Sequence, residues 1–187
     1  MMKISSIAVY LGSAEGDDPK YMTTAREFGA EMARRGIRVV YGGADVGCMR
    51  ALADGVLGEG GEIVGVFPEG FAGKKEVAER GIDIVRKDLT RMIWVKSFAE
   101  RKQVMEDLCD CAVALPGGYG TMDELFTFAL SVEIGRHAKP AFAISVDGYY
   151  DGLRDMLERM RGTSFLHEEF PAVSVCGSVE DFVDKII

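Results

Sequence analysis

The chain has only two histidines, His137 and His167, and four cysteines, of which only Cys109 and Cys111 lie close together. Structural zinc needs two close pairs or additional histidines, so these thiols are read as buried, reduced core residues and no metal site is expected. Basic charge is scarce too: 22 lysines and arginines stand against 30 acids, a formal charge of −8. Without a basic field, broad contact with nucleic acid or an anionic membrane is excluded, and any anionic ligand must be held locally. No apolar run approaches the roughly 20 residues that cross a bilayer, and the opening "MMKISSIAVYLGSAEG" breaks at glycine too early for a signal peptide. A cytoplasmic protein is expected. With five prolines and no Pro/Ser-rich linker, residues 1–187 read as one domain.

What is present is alternation. Strand-length apolar runs ("ISSIAVYLG", "IRVVYGG", "EIVGVFP", "GIDIVRK", "CAVALPGG", "PAFAIS", "AVSVCG") are separated by segments of helical period. The latter include "DPKYMTTAREFGAEMARRG", "SFAERKQVMEDL", "TMDELFTFALSVEIG" and "YYDGLRDMLERMRG". The pattern predicts an α/β fold, an open parallel sheet with helices on both faces. "FAGKKEVAER" fits neither period and reads as a loop. In such sheets ligands sit beyond the carboxyl ends of the strands. Three of these ends carry glycine: Gly12, Ser13 and Gly16 after the first strand, Gly42, Gly43 and Gly47 after the second, and Gly117, Gly118 and Gly120 after "CAVAL". Neither G-x-G-x-x-G nor G-x-x-x-x-G-K-[ST] is present, so an ordinary NAD or ATP phosphate loop is not expected.

The stretch "PGGYGTMDEL" leads from a strand into a helix, whose first N–H groups and dipole favour an anion that glycine lets approach. Thr121 adds a hydroxyl. Thr121 to Glu124 also matches a capping box, the simpler reading of T-x-x-E taken alone. Three glycines before the helix, and two further glycine-rich strand ends, do not follow from capping. Glu124, three residues past Thr121, faces the anion site, whereas Asp123, about 100° away, belongs to the surface. A helix N-terminus biases Glu124 toward ionisation. Arg101 offers a planar fork for phosphate, and Lys102 is read as an i, i+4 partner of Glu106.

"PGGYGTMDE" fits P-G-G-x-G-T-x-x-E and "ERKQVM" fits E-R-K-x-x-M. In this order the two motifs resemble the lonely-guy family of cytokinin riboside 5′-monophosphate phosphoribohydrolases, older labels for which include lysine decarboxylase-like. "VYLGSAEGDDPKY", "VVYGGADVGCM", "GRHAKP" and "DGYYDGL" extend the likeness over nearly the whole chain. The resemblance implies a Rossmann-like fold, usually dimeric, that hydrolyses the N-glycosidic bond of a nucleoside 5′-monophosphate without metal or organic cofactor. It implies Gly117, Gly118, Gly120 and Thr121 as phosphate ligands, Arg101 and Glu124 as the catalytic pair, and Gly12 and Ser13 as pocket lining. Gly42 and Gly43 join the substrate edge. The second loop, "GGADVGCMR", departs from the family's G-G-G-x-x-G-L-M-G, with Arg50 as added charge beside the pocket. The alternative on the same fold is a nucleotide or molybdenum-cofactor carrier without turnover.

Overall fold

In the computed structural model, residues 4–71, 84–166 and 173–186 are described. Seven strands form one sheet: β1 (Ser6–Tyr10), β2 (Arg38–Tyr41), β3 (Ile63–Pro68), β4 (Arg91–Val95), β5 (Cys111–Ala114), β6 (Ala141–Ile144) and β7 (Val173–Cys176). All neighbours pair parallel, in the order β4-β3-β2-β1-β5-β6-β7. Six α-helices accompany them among the described residues: α1 (Pro19–Arg34), α2 (Gly47–Gly58), α3 (Phe98–Asp107), α4 (Tyr119–Glu133), α5 (Asp151–Gly162) and α6 (Val179–Ile186). None is long and apolar enough to cross a membrane.

Strand alternation sends side chains to two cores. Ile7 and Val9 pack with α1, α2 and α6, whereas Ala8 and Tyr10 pack with α3, α4 and α5. Both faces are therefore covered, which explains the nearly continuous apolar strands. On the first face α1 and α2 approach so closely that a Cβ on Gly55 would strike the α1 backbone. All four cysteines are free and buried.

One expected strand is elsewhere. In "GIDIVRK" residues 81–83 lie outside the described residues, and the remainder makes only a single bridge, Val85 to Ala44. The fourth strand is instead Arg91–Val95, which pairs with β3. As an edge strand it is half exposed and carries Arg91, so its apolar run is interrupted. The loop read over Phe71–Arg80 lies almost wholly outside the described residues.

The strand order reverses at β1: the chain runs outward through β2, β3 and β4, then returns to place β5 on the other side of β1. In open α/β sheets the crevice at such a reversal is the ligand position.

Candidate active site

A cleft of about 370 Å³ opens at that reversal, between the loop after β1 and the turn after β5. Gly12, Ser13, Gly117 and Gly118 line it, flanked by Tyr21 and Tyr149. The Gly12 N–H donates to the Pro116 carbonyl at 3.1 Å, tying the two loops together. The glycines here answer to different causes. A Cβ on Gly117 would collide with the Thr121 hydroxyl and come within 2.7 Å of the Gly12 nitrogen, so packing alone requires glycine. Around Gly118 and Gly120 no atom lies within 4 Å of a built Cβ, and neither has positive φ. No contact among the described residues demands glycine at these two positions, which leaves space for a ligand to approach the backbone.

The start of α4 differs from the capping-box expectation. Gly118 is the N-cap and no side chain caps the helix. Thr121 therefore sits a turn inside, buried against Gly117. A side-chain cap forms instead at α3, where Ser97 Oγ accepts from the Glu100 N–H at 3.1 Å, while the Glu100 carboxylate reaches one residue past the cap to accept from the Lys96 N–H at 2.7 Å.

Freed from capping, Glu124 faces α3. Its Oε1 accepts from Arg101 Nη1 at 2.5 Å, and Arg101 Nε donates to the Val66 carbonyl at 2.9 Å. Glu124 is 6% and Arg101 8% exposed, so this is a buried ion pair. Gly42 completes the arrangement, because a Cβ there would overlap the guanidinium. Burial pushes the Glu124 carboxyl above the usual glutamate range, and the Arg101 charge pulls it partly back. The expected bias from the helix N-terminus is thus outweighed by desolvation. Arg101 and Glu124 are not among the residues lining the β1/β5 cleft; they occupy the space where α3 and α4 meet over the ends of β2 and β3.

A family model described as possible lysine decarboxylase matches residues 49–186. The chain is 35% identical over 182 residues to the cytokinin riboside 5′-monophosphate phosphoribohydrolase of Rhodococcoides fascians, covering 97% of this chain and 88% of that protein. A protein of the same name from Arabidopsis thaliana is 31% identical over 185 residues, 98% of this chain and 83% of its own. The chain belongs to the lonely-guy family. Its Rossmann-like fold is shared with the molybdenum cofactor binding protein of Rippkaea orientalis, at a TM-score of 0.71 and 20% identity over 100% of this chain and 97% of that one. The molybdenum cofactor carrier protein of Chlamydomonas reinhardtii follows at 0.68 and 19%, over 97% and 94%.

Against the lonely-guy motifs, the structure gathers Gly12, Ser13, Gly117 and Gly118 in one cleft, Gly120 exposed beside it, and Arg101, Glu124 and Gly42 in one buried cluster. Gly43 serves the second loop itself, at φ +76 and against Met92. Arg50 does not reach the cleft: it donates to the Asp45 carbonyl at 2.6 Å. Lys102 passes over the buried Glu106 and bonds both Asp123 oxygens on α4 at 2.8 Å. Glu106 is committed to the Ser131 hydroxyl at 3.0 Å and His137 at 3.3 Å. Tyr149 and Tyr150 carried no role in the sequence reading. Read as part of a helix, they in fact precede α5, and their hydroxyls reach the carbonyls of Gly117 and Leu115, each at 2.8 Å.

Proposed function

We propose that the protein hydrolyses the N-glycosidic bond of a purine nucleoside 5′-monophosphate, of AMP or cytokinin type, giving free base and ribose 5-phosphate. The observation that carries this reading is the buried Arg101–Glu124 contact at 2.5 Å beside a glycine-lined crevice. The relatives named phosphoribohydrolase support it. In the reaction the oxygen of a water bonds to C1′ as the C1′–N bond breaks, the bonding pair leaves with the base nitrogen, and a proton from the water ends on the released base. Positive charge grows on the ribose, and an ionised Glu124 stabilises it and orients the water. Arg101 keeps that carboxylate charged despite burial and fixes its direction. Gly118, Gly120 and Thr121 hold the 5′-phosphate at the start of α4, so that binding of a non-reacting group positions the sugar. Gly12 and Ser13 form the opposite wall, and Gly42 and Gly43 seat Arg101 and the second loop. The chain's own groups supply these steps, and the proposal includes no cofactor.

The active form is proposed to be a homodimer in the cytoplasm. Trp94, Phe67, Phe71 and Phe98 form a chain of ring contacts next to Arg101 at the β4 edge, with ring centroids 5.3–5.9 Å apart. Such an apolar patch suits a second copy. A carrier reading is favoured by the altered second loop, and one assay separates the two. AMP and an N6-substituted adenosine monophosphate should each yield base and ribose 5-phosphate in equal amounts. Tight binding of intact nucleotide without either product establishes the carrier instead.

A further inference from the structure

Three consecutive carbonyls of the β5–α4 turn are each taken by a donor from elsewhere: Leu115 by the Tyr150 hydroxyl at 2.8 Å, Pro116 by the Gly12 N–H at 3.1 Å, and Gly117 by the Tyr149 hydroxyl at 2.8 Å. The last has a particular consequence. A trans peptide is planar, with its C=O and N–H pointing in opposite directions, so fixing the Gly117 oxygen also fixes the Gly118 N–H. Glycine stands on both sides of this bond, and nothing in either residue's own sterics prevents the plane from rotating. Rotated by half a turn, it would present a carbonyl oxygen, which repels a phosphate, where a donor is needed.

We propose that Tyr149 is a positioning residue for phosphate recognition: its hydroxyl holds the Gly117–Gly118 peptide with the Gly118 N–H turned toward the ligand. The inference rests on reading this turn as the phosphate site. Tyr149 is itself braced for the task. Its ring makes edge contacts with Tyr21 at 5.8 Å and Tyr150 at 5.0 Å. The preceding residues, Asp147 at φ +50 and Gly148 at φ +77, make a tight left-handed turn, held by the Asp147 carboxylate accepting from Lys20 Nζ at 2.6 Å. Asp147 is not glycine, so the surrounding contacts stabilise this uncommon conformation. Beyond Gly118 the space is open, with no atom within 4 Å of a built Cβ.

Tyr149→Phe removes the hydroxyl and keeps the ring. The test is calorimetric binding of AMP and adenosine to both proteins, with Tm and steady-state kinetics on AMP. AMP affinity should fall roughly five- to tenfold, the loss of one oriented hydrogen bond. Adenosine affinity should stay as in the parent, Tm should fall by no more than one half-exposed hydrogen bond contributes, and kcat/KM on AMP should fall by at least the same factor as its affinity. A variant that keeps the parent's ratio of AMP to adenosine affinity overturns the proposal. So does an equal loss for both ligands, which would make Tyr149 a wall of the pocket. If the parent binds AMP no better than adenosine, the phosphate site itself is wrong, a result separate from any effect of the substitution.

Discussion

At the scale of single residues, the proposed reaction turns on Glu124. Its partner Arg101 is near enough for a charge-assisted bond, and both are shielded from water. Glu124→Gln keeps the shape and removes the charge. Release of base should drop by at least about a hundredfold, the low end for a charged catalytic group, while AMP binding persists. Turnover at the parent's rate would dismiss Glu124 from the mechanism. The direction of its titration gives a second check. Because burial raises the carboxyl above its ordinary value of 4.5, the ionised form disappears at a higher pH than for an exposed glutamate. The acid limb of kcat/KM should therefore lie above 4.5, activity falling as pH drops through it. The glycines divide similarly. Gly117→Ala meets the Thr121 hydroxyl and the Gly12 nitrogen and should cost about 1–3 kcal/mol of stability, seen as a lowered Tm. Gly120→Ala meets nothing within 4 Å and improves helix propensity, so it should hold or raise Tm while weakening AMP binding.

At the scale of elements, two ion pairs among the described residues join α3 and α4, Arg101–Glu124 inside and Lys102–Asp123 outside. Solvent decides their worth. Asp123 is largely exposed, and Asp123→Asn should change stability by less than about 1 kcal/mol in chemical denaturation, as surface pairs do. Losing one member of the inner pair strands a buried charge, so Arg101→Met should cost about 3–5 kcal/mol. The α3–α4 junction also holds His137, whose imidazole burial drives below its ordinary value of 6.5 while nearby Glu106 opposes. A histidine lowered in the folded state stabilises above the unfolded value, and that contribution is lost as pH falls. Tm of the parent, relative to His137→Gln, should accordingly decline once pH passes below about 6.5.

At the scale of the whole molecule, the ligand crevice follows from strand order, with β1 and β5 adjacent and the chain diverging on either side. Aromatic side chains are exposed at the β4 edge, where Trp94 and Phe98 are each 50% uncovered, and at the start of α4, where Tyr119 is 95% exposed. If a second copy covers this region, Trp94→Glu should convert the dimer to a monomer in analytical ultracentrifugation. A parent that sediments as a monomer at micromolar concentration would reject the homodimer.

The sequence by itself determined the parallel, doubly covered sheet, because buried strands and amphipathic helices write their periods directly into the order of residues. It also singled out Arg101, Glu124 and the glycine turns as motif residues, the first two of which the fold joins in one buried pair. Tertiary structure alone decided partners. Whether T-x-x-E caps a helix or supplies a carboxylate depended on where α4 begins, and whether Lys102 bonds Glu106 or Asp123 depended on a neighbouring helix. The edge strand β4 and the hold of Tyr149 on Gly117 were equally hidden, 32 residues separating that tyrosine from its glycine. Periodicity is local, whereas hydrogen bonds and ion pairs join groups that only folding brings within reach.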